Sequence, residues 1–454
     1  MPTIRILALF LLAACTGGDG SDLPKEIVIG EYGSLSGTAA TFGLSTRDGI
    51  EIATEEQNAK GGIGGVKIRV VVEDDQSKPE EATTAVNKLL SSDHPVAVLG
   101  EVSSSRSLAA APLLQRASVP MISPSSTSEK VTMVGDYIFR VCFIDPFQGE
   151  AIAKFAYGDK GVRKAAILRD VKNDYSVGLA DVFTKHFVAM GGEIVGDEAY
   201  SEGDFEFKAL LSKLIAAQPD AMILTGYYTE VARIAVQARE LGYQGVFLGG
   251  DGWDSETLVQ NGKDAIIGAY YTNHYSVDDP APAVQDFIKK YEAKYQNKPD
   301  GLAALGYDAA KILYMSMEDV AKDPKMLEAF ADRSTVPATE GSRKAARAAL
   351  RDRLAVVKDY PGVTGNITID ENRNATKSAV VVQVSKDGPK FVAKIDPIGV
   401  APAPAVPVEG SPPVDGAASP PTAPESAPAA PAGAPPAAAP PADPSMPKRP
   451  PLPL

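Results

Sequence analysis

Between residues 26 and 398 short apolar runs alternate with stretches of helical periodicity, and this alternation restricts the fold more than any other feature of the chain. Ile27-Val28-Ile29-Gly30 has the unbroken apolar character of a strand covered on both faces. Helical spacing follows over 47–60, then a strand-like run from Val66 to Val72. Pro79 to Ser91 places Ala82, Val86, Leu89 and Leu90 on one helical face behind an early proline. Val96-Ala97-Val98-Leu99-Gly100, a helix over 105–116 and Val119-Pro120-Met121-Ile122 complete the first run. The rhythm restarts at Ala165-Ala166-Ile167-Leu168. Helices over 177–190, 206–217 and 229–241 then separate strands at Glu193 to Val195, Ala221-Met222-Ile223-Leu224 and Val246-Phe247-Leu248. Strand–helix alternation winds into parallel sheets with helices on both faces, so two runs predict an α/β protein with two doubly wound parallel-sheet lobes. Helices are expected at 281–296, 301–320 and 342–355. Val363 to Asp370 and Ser378 to Ser385 flank Glu371-Asn372-Arg373-Asn374 and read as a hairpin.

The two ends differ in kind. Arg5 precedes an apolar run from Ile6 to Ala14, too short to span a bilayer, which ends at Leu12-Ala13-Ala14-Cys15. Small residues before a cysteine match a bacterial lipobox, so residues 1–15 are expected to be a lipoprotein signal peptide with Cys15 acylated. Residues 16–25 would be a flexible tether to the membrane surface. At the other end, residues 401–454 hold 19 of the chain's 36 prolines and no aromatic residue. Such a segment buries too little apolar area to offset its ordering entropy, so 399–454 is expected to be a disordered Pro/Ala-rich tail. Cys142, lacking an intramolecular partner if Cys15 is acylated, is expected to be a small buried hydrophobe.

Composition and motifs exclude several classes. Lys+Arg is 45 against Asp+Glu 58, and a net charge of -13 repels nucleic-acid backbones. Two cysteines with no CxxC, and three histidines far apart in sequence, leave no Cys/His metal site, and no cofactor is expected. Gly61-Gly62-Ile63-Gly64-Gly65 lies after a helix and before a strand, the reverse of a dinucleotide fingerprint, and reads as a tight turn. Asp74-Asp75 reads as a polar strand end. Neither a P-loop nor a G-x-S-x-G elbow occurs, and no nucleophile–base–orienter set is visible, so an enzyme is not expected.

Four loops carry the chemistry. Gly100-Glu101-Val102-Ser103-Ser104-Ser105 follows one strand and opens a helix, and Pro124-Ser125-Ser126-Thr127-Ser128 follows the next. Open parallel sheets bind ligands beyond the carboxyl ends of their strands, where hydroxyls and free N–H groups favour a carboxylate. In the second run, Thr225-Gly226-Tyr227-Tyr228 and Gly249-Gly250-Asp251-Gly252-Trp253 occupy matching places. An acid beside aromatics suits a cation. Together the loops fit a zwitterion held between lobes.

In this order and spacing, Gly33-Ser34-Leu35-Ser36-Gly37, Asn58-Ala59-Lys60-Gly61-Gly62-Ile63, Asp74-Asp75, Ile122-Ser123-Pro124-Ser125-Ser126-Thr127, Asp204-Phe205, Gln237-Ala238-Arg239-Glu240-Leu241-Gly242 and Gly365-Asn366-Ile367-Thr368 carry a likeness. The chain resembles the branched-chain amino-acid (Leu/Ile/Val) binding proteins of ABC transporters, periplasmic binding proteins of type I. The resemblance covers about 26–395. It implies that Ser104, Ser125 and Thr127 hold a ligand carboxylate, that Asp251 and Tyr227 hold its ammonium, and that Tyr175 stands at the pocket wall. Asp251 stands where Glu is common, Phe42 where tyrosine is common, and Trp253 adds bulk beside the acid. It also implies three crossings between lobes, near 144, 274 and 358. Lobe 1 would then be 26–144 plus 275–358, and lobe 2 would be 145–273 plus 359–398. The implied protein is a membrane-anchored lipoprotein of the bacterial periplasm that captures an amino acid and delivers it to an ABC transporter permease. A ligand-sensing receptor of the same fold for a small carboxylate or amide is the alternative.

Overall fold

The computed structural model describes residues 26–332 and 339–397; the expectations for Cys15, the tether and the tail fall outside them. The first run folds as β1 (Glu26–Gly33), α1 (Ala40–Ala59), β2 (Lys67–Asp74), α2 (Pro79–Lys88), β3 (Val98–Leu99), α3 (Ser104–Ala117), β4 (Met121–Ser123), α4 (Lys130–Met133) and β5 (Ile138–Arg140). The second folds as α5 (Asp145–Lys154), β6 (Lys164–Asp170), α6 (Asp174–Ala189), β7 (Glu193–Tyr200), α7 (Lys208–Ala216), β8 (Ala221–Leu224), α8 (Tyr228–Glu240), β9 (Val246–Gly249), α9 (Glu256–Gly262) and β10 (Tyr270–Asn273). After these come α10 (Pro282–Tyr295), α11 (Gly301–Val320), α12 (Pro324–Phe330), β11 (Ala331–Asp332), α13 (Glu340–Leu354), β12 (Tyr360–Gly362), β13 (Gly365–Ile369), β14 (Ala375–Thr376), β15 (Ala379–Gln383) and β16 (Lys390–Ile395).

Two sheets result. In the first, β2, β1, β3, β4 and β5 lie side by side and parallel, with β11 antiparallel against the start of β1. In the second, β7, β6, β8, β9 and β10 are parallel, and β15 and β16 extend the edge antiparallel. Central strands are apolar throughout because helices cover both faces: all four residues of β8 are buried. The helix α11 returns from the second run to pack on α1. Their backbones approach so closely that a Cβ on Gly49 would meet the Ala303 carbonyl oxygen at 1.9 Å, and one on Gly306 would meet that of Thr46 at 2.3 Å. Only glycine fits at either position.

Three sequence expectations need correction. The helix α5 adds to the expected elements; in the fold a Cβ at Gly149 would lie 2.6 Å from Val182 of α6, so that glycine serves the packing of the two helices. The expected hairpin divides: β13 turns back only onto Ala375–Thr376, and Ala379–Gln383 pairs with β10 of the second sheet. The third crossing accordingly lies at 377–378 and not near 358. Residues 360–376 form the small β12-β13-β14 sheet, which is bonded to elements around the first large sheet. The Asp308 carboxylate of α11, wholly buried, accepts the Val363 and Thr364 N–H groups, each at 2.8 Å, and the Thr364 hydroxyl at 2.7 Å. Arg373 O accepts the Arg140 N–H of β5 at 3.2 Å. A buried carboxylate demands donors, and this segment supplies them.

No helix among the described residues is long and apolar enough to cross a membrane. Cys142 is buried on the first crossing with Sγ 3.4 Å from Ser126 O, and burial pushes its thiol up to about 12.

Candidate functional site

The polar residues of the candidate site sit just past the carboxyl ends of strands. Ser104 is the first residue of α3, after the 100–103 turn that leaves β3. Ser125 and Thr127 follow β4, Tyr175 is in the first turn of α6, Tyr227 follows β8 and Asp251 follows β9. The loop after β1 is set by Asp74, whose carboxylate accepts Leu35 N–H at 3.0 Å, Ser36 Oγ at 2.6 Å and Gln76 N–H at 2.8 Å. That loop leads into α1 and places Phe42. The expected polar strand end thus shapes a wall of the site.

One small cavity, with about 10 Å³ of free room in this closed form, lies between the sheets, lined by Phe42, Ser104, Ser125, Thr127, Tyr175, Tyr227 and Asp251. Val102, Gly252 and Leu302 complete its lining. The hydroxyls come from one sheet and the acid and tyrosines from the other. Tyr175 and Tyr227 stack with centroids 5.5 Å apart, and Phe42 meets Tyr227 edge-on at 5.2 Å. Burial pushes both tyrosine hydroxyls well above their ordinary range, so they stay neutral and serve as hydrogen-bonding groups. Tyr175 Oη accepts the Gly252 N–H at 3.1 Å, which fixes the turn carrying Asp251.

Trp253 is not part of this cavity. Its indole N–H donates to Leu224 O at 3.0 Å, its ring is fully buried beside Tyr271, and it lines a separate cavity on the far side of the turn. The two-residue step from Asp251 through Gly252 to Trp253 turns the side chain to the other side, which proximity in sequence does not reveal.

Two residues that the sequence did not single out hold Asp251. Gln148 Nε2 of α5 donates to Oδ1 at 2.7 Å, and His274 Nε2, one residue past β10, lies 3.0 Å from Oδ2. Ser125 Oγ reaches Oδ2 from the other sheet at 3.4 Å. Burial lowers the His274 imidazole to about 4, so the ring is neutral near pH 7 with its proton on Nε2, facing the carboxylate. The ring stacks on Phe143 at 3.7 Å. No local motif marks either residue; only the topology brings positions 148 and 274 to the turn at 251.

The sheets are closed on one another around this cavity. Ser103 Oγ and Tyr227 Oη are 2.8 Å apart, and Thr41 Oγ1 and Ser255 Oγ 3.0 Å. The Asp174 N–H donates to Ser105 Oγ at 2.8 Å. At the rim, Glu202 of the second run accepts Arg106 Nη2 at 3.1 Å and Thr38 Oγ1 at 2.6 Å. Among the described residues no group of three His, Cys, Asp or Glu could hold a metal ion.

Such a cavity can seize a small polar molecule from both sides and surround it. Residues 26–389 match the Periplasmic binding protein family. The chain belongs to that family. Its two-sheet architecture is that of the type I members. A leucine binding protein from Thermotoga maritima, LivK, is 35% identical with a TM-score of 0.74, covering 82% of this chain and 100% of its own. The branched-chain amino acid transporter substrate binding protein LivJ of Streptococcus pneumoniae, in complex with isoleucine, is 30% identical with a TM-score of 0.71, covering 81% and 99%. A leucine-, isoleucine-, valine-, threonine- and alanine-binding protein of Pseudomonas aeruginosa is 30% identical over 336 residues, 72% of this chain and 88% of its own length. For a periplasmic binding protein the place of work is outside the cytoplasm.

Proposed function

We propose that this periplasmic binding protein captures an α-amino acid with an aliphatic side chain and delivers it to the permease of an ABC importer. The observation that carries the reading is the division of charge across one cavity: hydroxyls of Ser104, Ser125 and Thr127 on one side, Asp251 with Tyr227 on the other. A carboxylate fits the first set at the start of α3, and an ammonium fits the second. Phe42, Val102 and Leu302 offer the remaining wall to an apolar side chain. Phe42 in particular brings a ring with no hydroxyl to bond a polar one. The family members named above bind leucine, isoleucine, valine and related amino acids, which supports this ligand class.

Capture needs no chemistry. Polar groups from both sheets are satisfied together only when the sheets close, so the ligand favours the closed form by its differential contacts with it. The closed form then docks on the permease. The apolar run ending at Cys15 supports attachment to the membrane through an acylated cysteine.

A thermal-shift screen with leucine, isoleucine, valine, glutamate and benzoate tests the ligand class. The reading requires the aliphatic amino acids to raise the midpoint most. Stabilisation by benzoate alone would replace it with a carboxylate receptor.

A further inference from the structure

A second cavity, of about 450 Å³, opens on the flank of the first sheet between α1, the edge strand β2 and the end of α10. At its base is Glu31 of β1, only 4% exposed, whose carboxylate has no hydrogen-bond partner among the described residues. Its oxygens face the cavity, where only solvent or a bound molecule can supply a donor. Around it Ile50, Val70 and Val72 form an apolar wall. Asp48, Glu51 and Glu55 stand at the rim and are already engaged. Asp48 takes the Tyr291 hydroxyl at 3.2 Å, Glu51 takes that of Tyr295 at 2.7 Å, and Lys294 pairs with Glu51 and Glu55 at 3.0 and 2.7 Å. Asp48, Glu51 and Glu55 outnumber Arg47 and Lys294, so the cavity is acidic even after these pairings and with Glu31 uncharged. None of this belongs to the amino-acid cavity.

We propose that this flank cavity binds an organic cation, an alkyl chain ending in an ammonium or guanidinium group, with the Glu31 carboxylate as its counter-charge. The apolar wall suits the chain and the base suits the head. Anions are repelled. A metal ion would find one free carboxylate where it needs several ligands. Burial pushes Glu31 up to about 8, with Asp48 and Glu51 adding to the rise and Arg47 opposing it. On α11 the neutral Tyr314 hydroxyl is close enough to feel Glu31, and β2 lines the cavity with valines. Near pH 7 Glu31 is therefore protonated when alone, and a bound cation ionises it and releases a proton.

The test is calorimetric titration of the full chain with n-butylguanidinium and, separately, with a capped Ala-Arg-Ala peptide, in two buffers of different ionisation enthalpy. The expected result is saturable binding of at least one probe with proton release at pH 7, weakened about tenfold or more in Glu31→Gln with the release lost. Leucine binding and the melting midpoint of that variant should match the wild type. Asp48→Asn, at the rim, should weaken the same probe by about threefold. Tighter binding of the free guanidinium marks a small amine as the natural occupant, and tighter binding of the peptide marks a basic side chain of a partner protein. Absence of saturable binding by both probes, or equal binding in Glu31→Gln, overturns the proposal.

Discussion

His274 Nε2 lies 3.0 Å from Asp251 Oδ2, and the two residues come from different structural roles. Asp251 faces the ligand cavity; His274 sits where the chain leaves β10 to cross from the second sheet to the first. The contact ties the acid proposed to meet the ligand's ammonium to a segment that joins the two large sheets. His274 is uncharged near pH 7, so it orients the carboxylate without cancelling its charge.

His274→Ala should therefore weaken leucine binding by about tenfold, because Asp251 loses one of its donors and its fixed direction. His274→Gln, which restores an N–H donor, should recover part of the loss. Calorimetry on both variants checks this; equal losses would show that only the volume of the ring matters.

The same residue gives a pH signature. Its imidazole is lowered in the folded chain to about 4 and titrates near 6.5 when unfolded. The unfolded chain then binds the extra proton between these values, so this group's contribution is intact above 6.5 and is lost as pH falls toward 4. The loss is at most about 3 kcal/mol. Buried carboxyl groups such as Asp145 and Glu101, each pushed up to about 8 chiefly by burial, give the opposite slope, so the comparison must be between variants. Urea midpoints at pH 7.5 and 5 should fall less for His274→Gln than for wild type.

Glu202 joins Arg106 and Thr38 across the rim and touches nothing in the ligand cavity. Glu202→Gln should open the closed form and weaken leucine affinity by about three- to tenfold. Stopped-flow measurement should place the change in dissociation, with association nearly constant. A slowed association at unchanged dissociation would contradict the clasp.

The close crossing of α1 and α11 predicts the cost of a single methyl group. Gly306→Ala puts a Cβ within 2.3 Å of the Thr46 carbonyl and should destabilise by about 1–3 kcal/mol. Thermal denaturation checks it, and an unchanged midpoint would show that the helices can part freely.

Much of this was legible from the order of residues. The strand–helix rhythm announces two wound sheets because a parallel strand must be followed by a crossover, and helices fill those crossovers. The hydroxyl loops at Ser104 and Ser125 and the Gly250-Asp251-Gly252 turn were visible because a parallel sheet puts its ligand loops at one end. Side-chain direction was not visible: Trp253 turns away from Asp251 because Leu224 O takes its indole N–H. Long-range partners were not visible either. Gln148 and His274 reach Asp251 across 103 and 23 positions, and neither lies in a recognisable pattern. The tail end of the fold misled for the same reason, since Asp308 draws residues 363 and 364 to the first sheet through bonds that no local period encodes.

The central claim is that Asp251 meets the ammonium of an amino acid. The most direct measurement is calorimetry of leucine and of 4-methylpentanoate, its analogue without the amino group, with wild type, Asp251→Asn and Ser104→Ala. The account predicts that wild type strongly prefers leucine, that Asp251→Asn loses about 2–5 kcal/mol for leucine by breaking a desolvated charge pair, and that its preference over the analogue collapses. Ser104→Ala, which removes one of several groups facing the carboxylate, should lose about 1–3 kcal/mol for both compounds. Leucine affinity that is unchanged in Asp251→Asn, or a wild type that binds both compounds alike, would contradict it.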